Sequence, residues 1–172
     1  MDVILVDKDD NVIGAEDKLK AHEEGLLHRA FSIFIFNSKN ETLLQKRAES
    51  KYHSPGLWAN ACCSHPRPGK NIAEEAKKRL DEEMGIACDL TEMFSFTYKG
   101  DAGNGLIEHE YDHVFFGRFD DIPTINKEEV SDYQWIALDT LEKDIKKNPE
   151  DYSVWLKSCI GNVILKARPF CE

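Results

Sequence analysis

Nine residues, Trp58-Ala59-Asn60-Ala61-Cys62-Cys63-Ser64-His65-Pro66, constrain this chain more than any other stretch. They follow a loop carrying Pro55-Gly56 and precede a segment rich in acid and base. Along an extended chain, side chains repeat every second residue, so Cys63 and His65 share one face and Cys62 takes the other. A thiol next to a candidate metal ligand suits proton transfer or nucleophilic attack.

The flanking pattern supplies the rest of the scaffold. Downstream, Ile72, Ala73, Ala76, Leu80 and Met84 recur at helical spacing, with Asn71 placed as N-cap and Gly85 as C-cap. Upstream, Val3–Val6 and Val12–Gly14 read as strands around an Asp9-Asp10-Asn11 turn. Residues 17–24 are polar and read as helical or irregular, and His28–Phe36 as a strong strand, aromatic and β-branched. Asn37–Asn40 turns that strand into Thr42–Arg47. Further strands are expected over Glu92–Tyr98, Ile107–Phe119 and Ser131–Ala137, with Gly100–Gly105 as a glycine-rich loop. Asp139 is expected to cap a short helix over Leu141–Lys147, and Pro149 to open the last helix through Trp155 and Leu165. The interleaving of strands, hairpin-like pairs and helices predicts an α/β fold, a mixed sheet covered by helices, as one domain over 1–172.

Composition excludes several functions. The length of 172 residues suits one domain with a sizeable core. The net charge of −10 argues against a nucleic-acid surface, which wants a basic footprint. It leaves room for an anionic substrate, because a metal ion and a few local cations reverse the field inside one pocket. An odd count of five cysteines, with no Cys-x-x-Cys, reads as reduced thiols in a cytoplasmic protein. No signal peptide and no membrane span of roughly 20 apolar residues is legible.

Candidate metal ligands are His22, His28, His65, Glu108 and Glu110, the two glutamates sharing one face of their strand by the same period of two. His53, His109 and His113 show no such grouping and read as ordinary histidines. Glu83, beside Met84 and three residues from Leu80, is placed at the edge of the helix's buried face. Lys18, Arg47, Lys51 and Arg79 read as surface cations by default, and Tyr98 and Trp155 as core aromatics.

These residues together resemble type I isopentenyl-diphosphate isomerase. The likeness rests on Ala21-His22, Leu27-His28-Arg29-Ala30-Phe31-Ser32, Trp58 to Pro66, Glu82-Glu83-Met84-Gly85 and Glu108-His109-Glu110, in an order that spans nearly the whole chain. That family has the Nudix fold, an α/β/α sandwich. Its hydrolase relatives carry Arg-Glu-x-x-Glu-Glu-x-Gly, whereas this chain has Lys78-Arg79-Leu80-Asp81-Glu82-Glu83-Met84-Gly85, and Ser64 stands where the signature opens with glycine. The departure counts against ordinary Nudix hydrolysis.

The resemblance implies Mn²⁺, Mg²⁺ or Zn²⁺ on His22, His28, His65, Glu108 and Glu110, and a Mg²⁺ travelling with the substrate diphosphate on Glu83. It implies diphosphate contacts from Lys18, Arg47, Lys51 and Arg79. Cys63 and Glu110 become the proton-transfer pair, with Tyr98 assisting and Trp155 lining the hydrocarbon pocket. An isolated alkene is a very weak base, so one group must protonate it to a tertiary carbocation and another must remove a neighbouring proton. Glu110 is favoured as donor and Cys63 as base, and the family also admits the reverse. The implied partner is a small-molecule diphosphate, with neither nucleic acid nor membrane. Two rivals stand beside this reading: a Nudix pyrophosphohydrolase acting on a nucleoside diphosphate derivative, and a module in which Cys63 and His65 hold structural zinc.

Overall fold

The computed structural model describes residues 1–172. In chain order the elements are β1 (Asp2–Val6), β2 (Val12–Asp17), α1 (Lys18–Glu24), β3 (His28–Phe36), β4 (Glu41–Arg47), β5 (Trp58–Asn60) and β6 (Cys62–Ser64). They continue with α2 (Ile72–Met84), β7 (Leu90–Gly103), β8 (Leu106–Arg118), β9 (Val130–Ala137), α3 (Leu138–Lys147), a 3₁₀ turn (Pro149–Asp151) and α4 (Val154–Cys171).

The strands form one mixed, hydrogen-bonded sheet with β3 at its centre. β3 runs parallel to β8 along its full length, from His28↔Glu110 to Phe36↔Arg118. Its other edge meets β6 antiparallel through Phe31↔Ser64, Ser32↔Cys63 and Ile33↔Cys62. This register places the thiol stretch and the two glutamates on opposite sides of one strand.

Alternation sorts the side chains into two cores, which makes the sheet the middle layer of an α/β/α sandwich. Phe31, Ile33 and Ile35 join Cys62, Leu80 and Met84 on the face covered by α2. Phe34, Phe36, Val114 and Phe116 pack with Trp155, Leu156, Cys159 and Val163 on the face covered by α3 and α4. Cys62 therefore faces α2, and Cys63 packs at the edge of the α4 side, as the period of two requires.

α2 begins where Asn71 Oδ1 accepts from the Ala73 and Glu74 amides at 3.0 and 3.1 Å. Its fully buried Leu80 and Met84 contribute about 1.5–3 kcal/mol each. The cap is worth about 1 kcal/mol, so packing dominates. The helix ends at Gly85, at φ 62°, where an added Cβ would meet the Thr124 backbone oxygen at 2.8 Å. Both the left-handed backbone and the close approach demand glycine there.

Three boundaries differ from the sequence reading. Residues 100–103 continue β7, and only Asn104-Gly105, at φ 56° and 76°, turn the chain into β8. With Gly103 at φ 83°, three consecutive positive φ angles close a tight two-residue hairpin, so the glycines shorten the loop. Asp139 lies inside the first turn of α3, whose N-cap is Ala137 without a side-chain bond. Pro149 opens the separate 3₁₀ turn, and α4 begins at Val154. No helix is long and apolar enough to cross a membrane.

Candidate active site

One cavity of about 180 Å³ gathers residues from seven parts of the chain. The space is below the roughly 300–1,000 Å³ of ordinary ligand pockets, which suits a compact ligand. α1 supplies Lys18, the end of β4 supplies Arg47, the next loop Lys51 and His53, β6 and its exit Cys63 and His65, α2 Arg79 and Glu83, β8 Glu108 and Glu110, and α4 Trp155. The four cations, both carboxylate groups and the Cys-x-His pair of the sequence reading thus line one space. Tyr98 reaches the same cluster by donating to Glu110 Oε2 at 2.7 Å.

One end of the cavity is a cluster of imidazoles and carboxylates. One donor atom each from His22, His28, His65 and Glu110 lies within 4.8 Å of the others, and His22, His53 and Glu108 form a second such group. His22 Nδ1 donates to the Lys18 carbonyl at 2.6 Å and His28 Nδ1 to the Leu26 carbonyl at 2.8 Å. Carbonyls only accept, so both rings point an Nε2 lone pair inward. There His28 Nε2 faces His65 Nε2 at 3.1 Å, and His22 Nε2 faces Glu108 Oε2 at 3.3 Å. His65 Nε2 also lies 2.8 Å from Glu110 Oε1, so at most one ring proton serves both contacts, and the remaining lone pairs and carboxylate oxygens are held stably by a cation. His22 Nε2, His65 Nδ1 and both Glu108 oxygens lack hydrogen-bond partners although buried. The donor set therefore fits a divalent metal.

The electrostatics agree. Burial, with the nearby positive charge of Lys18, overrides the opposing pull of Glu110 and pushes His65 down to about 3, leaving a neutral ligand. Burial alone would raise Glu110, but the facing His28 and His65 imidazoles hold it well below the usual carboxylate range.

The opposite end lies over α2. Glu83, 4% exposed, accepts from Gln45 Nε2 at 2.9 Å and from Arg79 Nη2 at 2.5 Å. Each oxygen keeps a further lone pair for a cation. Lys51 pairs with Glu129, which also lies 3.8 Å from Arg79. Arg47 is buried, its guanidinium held by the His53 and Ser54 carbonyls at 3.2 Å and stacked 5.1 Å from the Trp155 ring. It has no carboxylate partner within ion-pair distance, which leaves its charge for an anionic ligand.

Between the two ends, Asn60 organises the wall that carries Cys63 and Trp155. Its amide nitrogen donates to the Ile33 and Cys62 carbonyls, both at 3.0 Å. The amide oxygen is thereby turned toward Cys63 Sγ at 3.0 Å and Trp155 Nε1 at 3.1 Å. An amide oxygen only accepts, so the Cys63 proton resides on sulfur, and burial also pushes this thiol well up.

Sequence reasoning missed Asn60, His53 and Asp112. His53, set aside there as ordinary, is buried with Nε2 3.1 Å from Glu108 Oε1. His109 and His113 sit elsewhere, on the Gly25 carbonyl and on Glu92 and Asp10. Asp112 continues the Glu108-x-Glu110 alternation inward, receives Ser32 Oγ at 2.7 Å, and is raised well above the usual range by burial and by Glu110. Its signal was the unbroken period of two.

Known proteins place this geometry. A family model described as the NUDIX domain matches residues 26–157. The solved structure of DR0079 from Deinococcus radiodurans superposes with a TM-score of 0.78 at 18% identity, covering 94% of this chain and 98% of that one. A MutT protein from Methanosarcina mazei Go1 gives 0.66 at 18%, covering 83% and 96%. At those identities the likeness is one of fold, and the family model over residues 26–157 defines the class as Nudix. "Isopentenyl-diphosphate Delta-isomerase 1" and "2" of Aromatoleum aromaticum are 56% and 53% identical over 162 residues, 94% of this chain and 92% and 86% of theirs. The enzyme of the same name numbered 2 from Photorhabdus laumondii is 53% identical over 161 residues, 94% of this chain and 91% of its own. The chain belongs to the isopentenyl-diphosphate Delta-isomerase family within the Nudix superfamily.

Proposed function

We propose that the enzyme isomerises isopentenyl diphosphate to dimethylallyl diphosphate at this cavity by protonation and deprotonation, with Cys63 and Glu110 as the proton-transfer pair. The observation that carries the reading is Asn60, which ties the thiol and the indole of Trp155 to one oxygen atom in a pocket also lined by Glu110, whose carboxylate Tyr98 holds from behind the lining. A thiol and a carboxylate on one thin pocket serve the two proton transfers that an allylic shift requires. The proton resting on sulfur supports the direction in which Cys63 gives the first proton and Glu110 takes the second, the reverse of the direction favoured from sequence. In that direction Tyr98, donating to Glu110, holds the receiving carboxylate in place.

The tertiary carbocation formed between the two steps needs a surface that stabilises charge without attacking it. The Trp155 face meets that need at about 2 kcal/mol when desolvated. Lys18, Arg47, Lys51 and Arg79 anchor the diphosphate away from the reacting carbons, where its binding energy serves orientation. Glu83 is the ligand for Mg²⁺ carried in with the diphosphate. His22, His28, His65, Glu108 and Glu110 hold a divalent ion, Mn²⁺, Mg²⁺ or Zn²⁺. When bound there, that ion supplies fixed positive charge beside Glu110.

A Nudix pyrophosphohydrolase is less well supported. Arg79 stands in the altered signature and pairs with both Glu82 and Glu83, and hydrolysis leaves Cys63 without work. The test is incubation with isopentenyl diphosphate and Mg²⁺ in D₂O, followed by NMR, with released phosphate assayed alongside. Deuterated dimethylallyl diphosphate without phosphate release is the expected result. Phosphate or pyrophosphate release without isomerisation overturns the assignment.

A further inference from the structure

We propose that His53 is a sixth protein donor to the metal centre, completing one closed site with His22, His28, His65, Glu108 and Glu110. The inference rests on the metal-centre reading above and goes beyond its five ligands. The two donor groups share His22. The other nitrogen of His22 is committed to the Lys18 carbonyl, so only one lone pair is left, and one lone pair binds one ion. The two groups are therefore parts of a single centre rather than two neighbouring ones.

The spacing of adjacent donors fits that conclusion, and because the six atoms do not all lie within 4.8 Å of one another, binding one ion would draw the two groups together. Ligands about 2.1 Å from an octahedral ion sit about 3.0 Å from their neighbours. The neighbouring donors here are separated by 2.8 Å (His65 to Glu110), 3.1 Å (His28 to His65), 3.1 Å (His53 to Glu108) and 3.3 Å (His22 to Glu108). Glu108 offers one oxygen toward His22 and the other toward His53, and neither oxygen has a hydrogen-bond partner. The His53 ring is buried, and its only other approach at Nε2 is Arg47 at a long 3.5 Å. Four imidazoles and two carboxylates form a set that favours borderline transition ions over Mg²⁺. With all six positions taken by protein, the centre has none left for water or substrate, so its function is to fix Glu110 rather than to bind the reactant.

The simpler alternative is that His53 Nε2–H merely donates to Glu108. Isotopic cadmium separates the two. The purified protein, labelled with ¹⁵N-histidine, is stripped of metal and reloaded with ¹¹³Cd²⁺. Scalar coupling to cadmium splits only directly bound nitrogens. Of the six histidines, four should show a split Nε2 and His109 and His113 none. His53→Gln, which keeps a donor for Glu108, should leave three split resonances and weaken metal retention at least about tenfold, the scale on which supporting groups tune metal sites. Three split resonances in the native protein, unchanged in His53→Gln with unchanged retention, overturn the sixth ligand but leave the five-ligand centre. Splitting at none of them overturns both.

Discussion

The two ends of the cavity are both rich in charge, yet they are built on opposite principles. At the α2 end, Glu83 already has Gln45 and Arg79 as partners, and Lys51 already has Glu129. At the β8 end, Glu108 keeps two buried oxygens without a hydrogen-bond partner, and the inward Nε2 of His22 also lacks one. A self-satisfied charge cluster can exchange partners as a ligand comes and goes. An unsatisfied buried cluster is costly unless something positive stays in it. On the proposed reading, the first end is the transient, ligand-carrying one and the second holds a resident ion, with Cys63, Asn60 and Trp155 between them.

The sharpest break is at that boundary. Cys63→Ala should lower turnover by about 10³-fold or more, the scale of a positioned proton-transfer group. Cys62→Ala, on the α2 side of the sheet, should leave turnover near native and cost about 1 kcal/mol of stability. Equal losses in turnover would mean that the wrong sulfur has been assigned. Next, Glu83→Gln should raise the Mg²⁺ requirement and the substrate KM about tenfold or more, while metal retained at the histidines after dialysis stays the same. His65→Ala should do the converse and release the retained metal. If both variants lose the same ion, the two ends are one site and the contrast collapses.

A smaller effect distinguishes the π face of Trp155 from its N–H. Trp155→Phe removes the bond to Asn60 but keeps an aromatic face, whereas Trp155→Leu removes both. Loss of about 2 kcal/mol of cation stabilisation predicts a further drop of roughly 30-fold for Leu relative to Phe. Indistinguishable rates would remove the cation-stabilising role.

The smallest lies outside both ends. Glu75 is bound by Arg67 at 2.7 and 2.8 Å, which holds its carboxyl down at about 2. A depressed folded value contributes stability above the unfolded value, near 4.3, and loses it as pH falls through about 2. Arg67 is 45% exposed, so screening reduces the contribution to about 1 kcal/mol. Glu75→Gln should flatten the acid limb of a urea-denaturation series between about pH 5 and 2, with turnover at neutral pH unchanged. An unaltered limb would show the pair to be neutral for stability.

Much of this molecule was legible before any coordinates. Both caps of α2 and the bounds of β3 follow from local chemistry, because caps and alternation need only residues within a turn or two. The opposite facing of Cys62 and Cys63 is likewise a local fact. The Gly100–Gly105 stretch was misread because a glycine run looks the same whether it loosens a loop or tightens a hairpin. His53 was invisible for a different reason. It stands in a loop without periodicity, and its partner Glu108 is far along the chain.

The sequence by itself determined which groups this protein can use: the thiol, the imidazoles, the paired carboxylates, the four cations and the altered helix signature. These are fixed by residue type and short-range spacing. Only the tertiary structure decided which of them meet. Asn60 reaches Trp155 across 95 positions, and the parallel β3–β8 register brings His28 beside Glu110. Such meetings are set by how strands pair and how two cores fill, which no local pattern specifies. The proton on Cys63 and the unpartnered buried atoms of His22 and Glu108 follow from those meetings alone.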